Sequence, residues 1–433
     1  MLQFSEHEGF NRDVPVTHKF LKVEEGKFFS KSFKKTHGNS EQLEHCYIIN
    51  CIDRELGTYA IKTNYYIGVD WVIPNKLPIQ ITPKINNKAN QTDYLKMLLH
   101  CMKHPEVTQE IKELVEVKWE EPKIEIEQHQ DFLTPFLIIE FLGVLKRIVK
   151  KGLKKSYYKV EHNLQSSVKG KVLVSKTIKH NLAQAKNTRT YCQFEEFGVN
   201  TPKNKLLNKA FQLSKTYLPN FNKITNAEGL KDLYNYINPA FSQVDTQVGL
   251  HEVPQRKSGS LFKENDEAIR LARYIIQRYG YNIKSQTKDK VEIPPFWIDM
   301  SKLFELYTLS LLKDRFKSKV KYHVTHKGNE LDYLLNTETL KMVIDAKYKL
   351  AYSNGIDSQD MRQVSGYARL KKVYDTLYGD KDYNKLIDCL IIYPDQETGL
   401  EEITASNLKH VPIPDYINIF KVGVRLPVVV ERE

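Results

Sequence analysis

The chain has 433 residues, and its 65 Lys and Arg outnumber 53 Asp and Glu to give a net charge of +12. That length is too great for one compact core, so two or three domains are expected. The charge favours a polyanionic partner, nucleic acid being the commonest, over the plainer reading of Lys-rich solvated faces. Five cysteines in a chain of this size exclude a disulfide framework, and the longest apolar stretch, 132–145, is too short for a bilayer span and carries Pro135 and Glu140.

The opening MLQFSEHEGF lacks the basic-then-apolar pattern of a signal peptide, so a cytoplasmic protein with reduced, buried thiols is expected. Cys46, Cys51, Cys101 and His104 lack CxxC spacing, which argues against a zinc site. Residues 1–128 read as a β-rich domain. Its runs CYIINC, TYAIKTNYYIGVDWVI and LPIQITPKI are β-branched and aromatic, and Pro74, Pro78 and Pro83 limit them to short or edge strands of a small barrel or sandwich. Asp93 is placed to cap a helix through YLKMLLHCM.

Residues 129–285 read as mostly helical. Thr134-Pro135 opens an apolar helix that runs into LKRIVKKGLKK and breaks at Gly152. The stretch 167–178, SVKGKVLVSKTI, reads as a strand-bearing insertion, and helical spacing returns at Leu206, Leu207, Ala210 and Phe211 and again from Ile269 to Ile276. The segment 251–262 reads as a polar loop and 281–292 as a linker. No GxxxxGK[ST] occurs, so the chain carries no P-loop.

Residues 286–433 hold the residues that suggest chemistry. FWIDMSKLFELYTLSLLKDRF is apolar nearly all round and should be a buried helix capped by Asp299. Glu305 shares a face with Leu309 and Leu312, so its carboxylate either finds a cation or strong donor or reaches water at the helix edge. Two strands follow, ELDYLL (330–335) and KMVIDAKYKL (341–350). Alternation puts Val343, Asp345 and Lys347 on one face and Met342, Ile344, Ala346 and Tyr348 on the other. A two-residue loop at Glu338-Thr339, or a four-residue loop at 337–340, sets Asp332 directly opposite Asp345, whereas a three-residue loop would break that pairing. Opposed carboxylates repel unless a cation lies between them, and a hard divalent ion such as Mg²⁺ takes oxygen ligands. Lys347 would then stand beside the ion, placed to orient water or stabilise phosphate charge.

A further helix, SQDMRQVSGYARLKKVY, is capped by Asp357 and lines up Asp360, Gln363 and Tyr367 on one face. Arg362, Arg369, Lys371 and Lys372 suit a phosphate backbone, although a polar helix surface with Tyr367 packed on the sheet would leave the same pattern. The apolar runs LIDCLIIYP (386–394) and YINIFKVGV (416–424) complete a small mixed sheet flanked by helices. The expected fold class is multi-domain α+β: an N-terminal β-rich domain, a helical middle, and a C-terminal α/β core.

Glu305, Asp332 and then Asp345-Ala346-Lys347 resemble the PD-(D/E)xK nuclease core, and Gln363 through Tyr367 resembles the Q-x-x-x-Y element of many of its members. The residue before Asp332 is Leu331, where that pattern often has Pro. Over roughly residues 60–395 the chain is similar to the McrC family, the nuclease subunits of McrBC-type restriction systems. The similarity is carried by LPIQITPKI, SVKGKVLVSKTIKHN, CQFEEFGVNTPKNKLLNKAF, FWIDMSKLFELY, VIDAKYK and QDMRQVSGYA. The resemblance implies an Mg²⁺-dependent DNA endonuclease with Asp332, Asp345, the Ala346 backbone carbonyl and Glu305 at the metal. It implies Lys347 at the attacking water, with Gln363 and Tyr367 supporting it. It also implies an AAA+ GTPase hexamer that engages the N-terminal part and moves DNA, and paired copies for cutting both strands. A stand-alone or type II-like restriction enzyme, a RecB-like repair nuclease, or a basic DNA-binding adaptor without catalysis remains open at this point.

Overall fold

The structure is a computed structural model and describes residues 1–9, 14–17, 28–37, 40–53, 58–83, 92–111, 114–127, 133–217, 228–253, 263–282, 290–326, 329–349, 357–379 and 383–428. The chain forms two compact units: Met1–Phe136 with Lys223–Asn226 and Thr287–Glu433, and Leu137–Asn222 with Ala227–Gln286. The first and last thirds of the chain therefore share one unit.

In that first unit, a four-stranded sheet runs in the order Val14–Thr17, Thr58–Thr63, Ser40–Asp53, Phe28–His37. A five-stranded sheet runs Leu2–Ser5, Leu77–Thr82, Tyr66–Ile73, Phe296–Asp299, Val115–Val117. The two pack over a common core that includes Phe33, Tyr47, Ile61, Tyr66, Ile79 and Trp297, as the sandwich reading of the sequence requires. Phe296–Asp299 comes from far along the chain. It pairs antiparallel with both neighbours, Trp297 opposite Gly68 and Glu116. A Cβ on Gly68 would lie 2.0 Å from the Phe296 carbonyl oxygen, so only glycine lets this strand approach. Buried Asp70 accepts from the Trp297 indole at 2.8 Å and from Lys118 at 2.7 Å, which satisfies its charge inside the sandwich.

The polar run expected to be a linker ends instead in a strand, Lys290–Ile293, paired with Ile124–Glu127; residues 283–289 lie outside the described residues. Val291 and Ile293 supply the alternation that pairing needs, which the surrounding lysines obscure in the sequence. The N-cap at Asp93 is present, its side chain accepting from Lys96 N.

The C-terminal sheet begins where Asp299 caps a helix, numbered α1 here (Met300–Phe316), by accepting from Lys302 N at 3.0 Å. The strands β1 (Val320–His326), β2 (Asn329–Asn336) and β3 (Lys341–Ala346) form an antiparallel meander. Helices α2 (Ser358–Tyr367) and α3 (Lys371–Tyr378) precede β4 (Asp388–Pro394) and β5 (Ile419–Val424), which extend the sheet in parallel. Met361 and Val364 of α2 and Val373 and Leu377 of α3 bury against Leu334, Val343 and Ile391. Asp357 caps α2 through Gln359 N, as its position suggests.

The second unit holds the helices Pro202–Thr216, Glu228–Ile237 and Lys263–Asn282, and most of the apolar helix Leu133–Lys151. Pro202–Thr216 packs on Lys263–Asn282, and Leu206, Ala210 and Ala272 on these helices are fully buried. It also holds a three-stranded antiparallel sheet, Ser156–Gln165, Arg189–Gly198 and Lys171–Val172. Within 167–178 only Lys171 and Val172 are strand; Val174–His180 is a helix with no buried residue. The two long strands lie on either side of that segment. They carry polar residues on both faces, so no apolar run announces them in the sequence. The segment read as a polar loop begins in a short 3-10 turn, Leu250–Glu252, and residues 254–262 lie outside the described residues. Cys46, Cys101, Cys192 and Cys389 are buried free thiols. No helix among the described residues is long and apolar enough to cross a membrane.

Candidate active site

The hairpin fixes the centre. β2 and β3 pair Tyr333 with Ile344, Leu334 with Val343 and Asn336 with Lys341 around a turn at 337–340. Thr337 closes that turn, its N–H donating to Leu340 O and its hydroxyl accepting from Leu340 N, each at 2.8 Å. Carrying the register one step outward sets Asp332 across from Asp345. Asp332 Oδ2 accepts from Ala346 N at 2.8 Å, which ties its carboxylate to the β3 backbone. Asp345 is 1% exposed.

Lys347 extends the ladder past the end of β3, its N–H donating to Ile392 O at 2.8 Å. Its ammonium lies 2.8 Å from Asp345 Oδ2, off the line of a directed hydrogen bond, and donates to Gln363 Oε1 at 2.8 Å. Gln363 in turn donates to the Tyr367 hydroxyl at 2.8 Å. The α2 face read from the sequence thus meets the acid pair through Lys347. Asp360, also on that face, takes the ammonium of Lys349 at 2.8 Å and stands 3.9 Å from that of Lys347. Arg362 and Arg369 bond locally, to Ser358 and to the Tyr374 hydroxyl.

Glu305 has a partner set of its own. Its Oε1 accepts from Tyr322 at 2.5 Å, meets His323 Nε2 at 2.8 Å and takes Lys302 at 3.2 Å, while Tyr333 donates to its backbone carbonyl at 2.6 Å. The strong-donor alternative holds, and Lys302, Tyr322 and His323 are the partners the sequence reading missed. Lys302, one helical turn before Glu305, was legible as an i,i+3 pair; Tyr322 and His323 arrive only through the tertiary fold. His323 has a φ of 49°, a strained value for a side chain other than glycine, and its ring spans Glu305 and Glu330.

The electrostatics separate these carboxylates. Burial raises the Asp332 pKa well above its usual value, and the charges of Glu305 and Asp345 raise it further. Burial also raises Asp345, against the pull of Lys347. Burial would lower the Lys347 pKa, but Asp345, Asp332 and Asp360 outweigh it and raise it. Glu305 goes the other way: burial opposes ionisation, yet His323, Lys302 and Tyr322 bring it down to about 2. Among the described residues no three His, Cys, Asp or Glu side chains gather as a metal-ligand cluster. The donors on offer are two carboxylates and the Ala346 carbonyl. That set, with a buried Asp345 oxygen lacking a directed hydrogen bond, fits a hard cation that keeps most of its water, and it does not fit a dedicated protein cage.

No curated protein matches the chain. Among solved structures, a half-complex of Thermococcus gammatolerans McrB AAA+ hexamers with bound McrC is similar at 16% identity and a TM-score of 0.38, over 87% of this chain and 80% of that one. The McrBC complex from the same organism is similar at 17% identity and a TM-score of 0.27, over 59% of this chain and 68% of that one. The family model described as McrBC 5-methylcytosine restriction system component matches residues 61–379, most of the sequence, and the chain belongs to that family.

Proposed function

We propose that the protein is the nuclease subunit of a modification-dependent restriction system, an McrC-like PD-(D/E)xK enzyme that cleaves DNA phosphodiester bonds with Mg²⁺. The observation that carries this reading is the acid pair on one face of the hairpin with the Lys347 ammonium 2.8 Å from Asp345. Asp332, Asp345 and the Ala346 carbonyl would hold the ion, which supplies charge for the phosphate and a more acidic bound water. Lys347, beside Asp345, would present its ammonium to the attacking water or a phosphate oxygen. Gln363 holds that ammonium, and Tyr367 holds Gln363. Glu305, whose Oε1 takes Tyr322, His323 and Lys302, would act on the centre through its charge, which raises the Asp332 pKa, or as a ligand through Oε2.

DNA is the proposed substrate, in keeping with the basic charge, and an AAA+ GTPase hexamer is the proposed motor, in keeping with the family and with a sequence that lacks a P-loop. The sequence reading placed motor contact in the N-terminal part. A second candidate lies in the second unit, where Tyr157 and Phe197, 71% and 62% exposed, face each other on paired strands. The deciding experiment is plasmid cleavage with and without Mg²⁺, GTP and motor, comparing the wild-type chain with Asp345→Asn. Cutting by the variant, or by the wild type in chelator, overturns the nuclease assignment.

A further inference from the structure

We infer that Glu6, at the start of the chain, is a positioning residue for Lys347 and acts through the hydroxyl of Tyr348. The inference rests on the site reading proposed above. Its geometry spans the whole sequence: Tyr348 donates to Glu6 Oε1 at 2.8 Å, between residues 342 apart, and both side chains are buried.

Lys347 needs an outside anchor. β3 ends at Ala346, Lys347 makes the last ladder bond, and Lys349 N then turns back onto Lys347 O at 2.8 Å. The segment bearing the proposed catalytic ammonium is therefore leaving the sheet, and little backbone pairing fixes its direction. Tyr348 is the next side chain and points to the opposite face. Its ring lies 5.6 Å from that of Phe304, one residue before Glu305, and 6.1 Å from that of Tyr65. Packing alone fixes the ring's plane; the hydroxyl bond fixes how far it reaches, and so where the backbone at Lys347 stands.

The other end of the bond is rigid. Glu6 follows the strand Leu2–Ser5, and its N–H donates to Thr82 O at 2.9 Å. His7 N donates to Asn64 O, Thr63 N to Glu8 O, Glu8 N to the Thr63 hydroxyl and Ser5 N to the Glu8 carboxylate. The His7 ring stacks on Tyr65 at 4.6 Å. A carboxylate 1% exposed is costly to bury, and apolar replacements of buried charged pairs are often neutral for stability, so stability alone does not account for the pair. Direction, which a charged acceptor imposes on one hydroxyl and an apolar contact does not, is what this pair adds.

The test uses the full chain with motor, GTP, Mg²⁺ and plasmid DNA, and compares Tyr348→Phe, Glu6→Ala, Glu6→Gln and the double variant Glu6→Ala/Tyr348→Phe. A displacement of about 1 Å at a catalytic group costs on the order of 10²-fold in rate. Tyr348→Phe and Glu6→Ala should therefore each slow single-turnover cleavage by about 10- to 100-fold, with DNA affinity close to wild type and a loss larger than any fall in unfolding midpoint accounts for. The double variant should be no slower than either single one, and Glu6→Gln, which keeps an acceptor, should recover most of the rate. Wild-type cleavage by Tyr348→Phe, or losses that simply follow a lowered unfolding midpoint, would overturn the inference. Crystal structures of the wild type and Tyr348→Phe read the positioning without any activity. Lys347 Nζ should leave Gln363 Oε1 in the variant, and an unmoved Lys347 refutes the link. Asp345→Asn run beside them separates the two claims: if it still cuts, the site reading fails, and the link is judged by the crystal structures alone.

Discussion

Lys347 places its ammonium against the one carboxylate, Asp345, that lies 1% exposed at the heart of the sheet. The pair is close but not aligned as a directed hydrogen bond, and Gln363 holds the same ammonium from the other side at 2.8 Å. With Gln363 holding it, the ammonium would stay placed for a phosphate even if Asp345 took a metal ion. Asp345→Asn should therefore lower cleavage by at least about 10³-fold, since it removes both a metal ligand and the lysine's partner. Gln363→Ala should cost less, about 10- to 100-fold, because the tether is lost but the metal stays. Single-turnover rates check both, and a Gln363→Ala loss as deep as that of Asp345→Asn would contradict the division of roles.

The raised pKa values of Asp332 and Asp345 make Mg²⁺ binding depend on pH with a definite sign. A carboxylate whose folded pKa is raised stabilises the fold below its unfolded pKa and loses that contribution as pH rises through the folded value. The metal-free protein should thus lose stability as pH rises through the raised values and the pair ionises, and Mg²⁺ relieves that repulsion. At a concentration a hundredfold above Kd the ion stabilises by about 2.7 kcal/mol. The rise in unfolding midpoint on adding Mg²⁺ should be greatest near pH 8 and shrink towards acid as protons compete for the pair. Asp345→Asn should not lower the metal-free midpoint at neutral pH, and should abolish the Mg²⁺ shift. A shift equal at both ends of the pH range would refute the assignment of these two ligands.

Glu305 gives the opposite dependence. Its pKa falls from 4.5 to about 2, so its stabilisation is complete above the unfolded value and is lost as pH drops from about 4.5 towards 2. The shift corresponds to roughly 3 kcal/mol at most. Glu305→Gln should flatten the acid limb of the stability curve, and His323→Ala should flatten it in part. Urea titrations between pH 2 and pH 6 measure this directly; an unchanged acid limb in Glu305→Gln would show that its three partners stabilise nothing.

These sites differ in how far the sequence alone reveals them. The register of β2 and β3 depends only on turn length and alternation, both local, so Asp332 opposite Asp345 could be read before any coordinates. The caps at Asp93, Asp299 and Asp357 were legible for the same reason. Partners brought by the fold were not: Tyr322 and His323 reach Glu305 from the next strand, and Glu6 reaches Tyr348 across nearly the whole chain. Phe296–Asp299 read as the entry to a helix, but it is also the strand that completes an N-terminal sheet. The strands Ser156–Gln165 and Arg189–Gly198 escaped notice because both faces carry polar residues and, Cys192 apart, none of their side chains is fully buried, so no apolar run marks them in the sequence.

That same exposure leads to the last expectation. Tyr157 and Phe197 sit opposite each other on those two strands, 71% and 62% exposed, with ring centroids 5.1 Å apart. Two neighbouring aromatic rings left in water are an anchor of the kind that binding interfaces bury. Replacing both with Ser leaves the antiparallel ladder intact and touches no residue of the acid pair. If this sheet meets the motor, the double variant should bind the AAA+ hexamer at least about tenfold more weakly and lose GTP-dependent cleavage, while its unfolding midpoint and Mg²⁺ shift stay as in the wild type. Unchanged hexamer affinity would return the motor contact to the N-terminal sheets, where Phe28 and Leu43, 54% and 72% exposed, would be the next pair to replace.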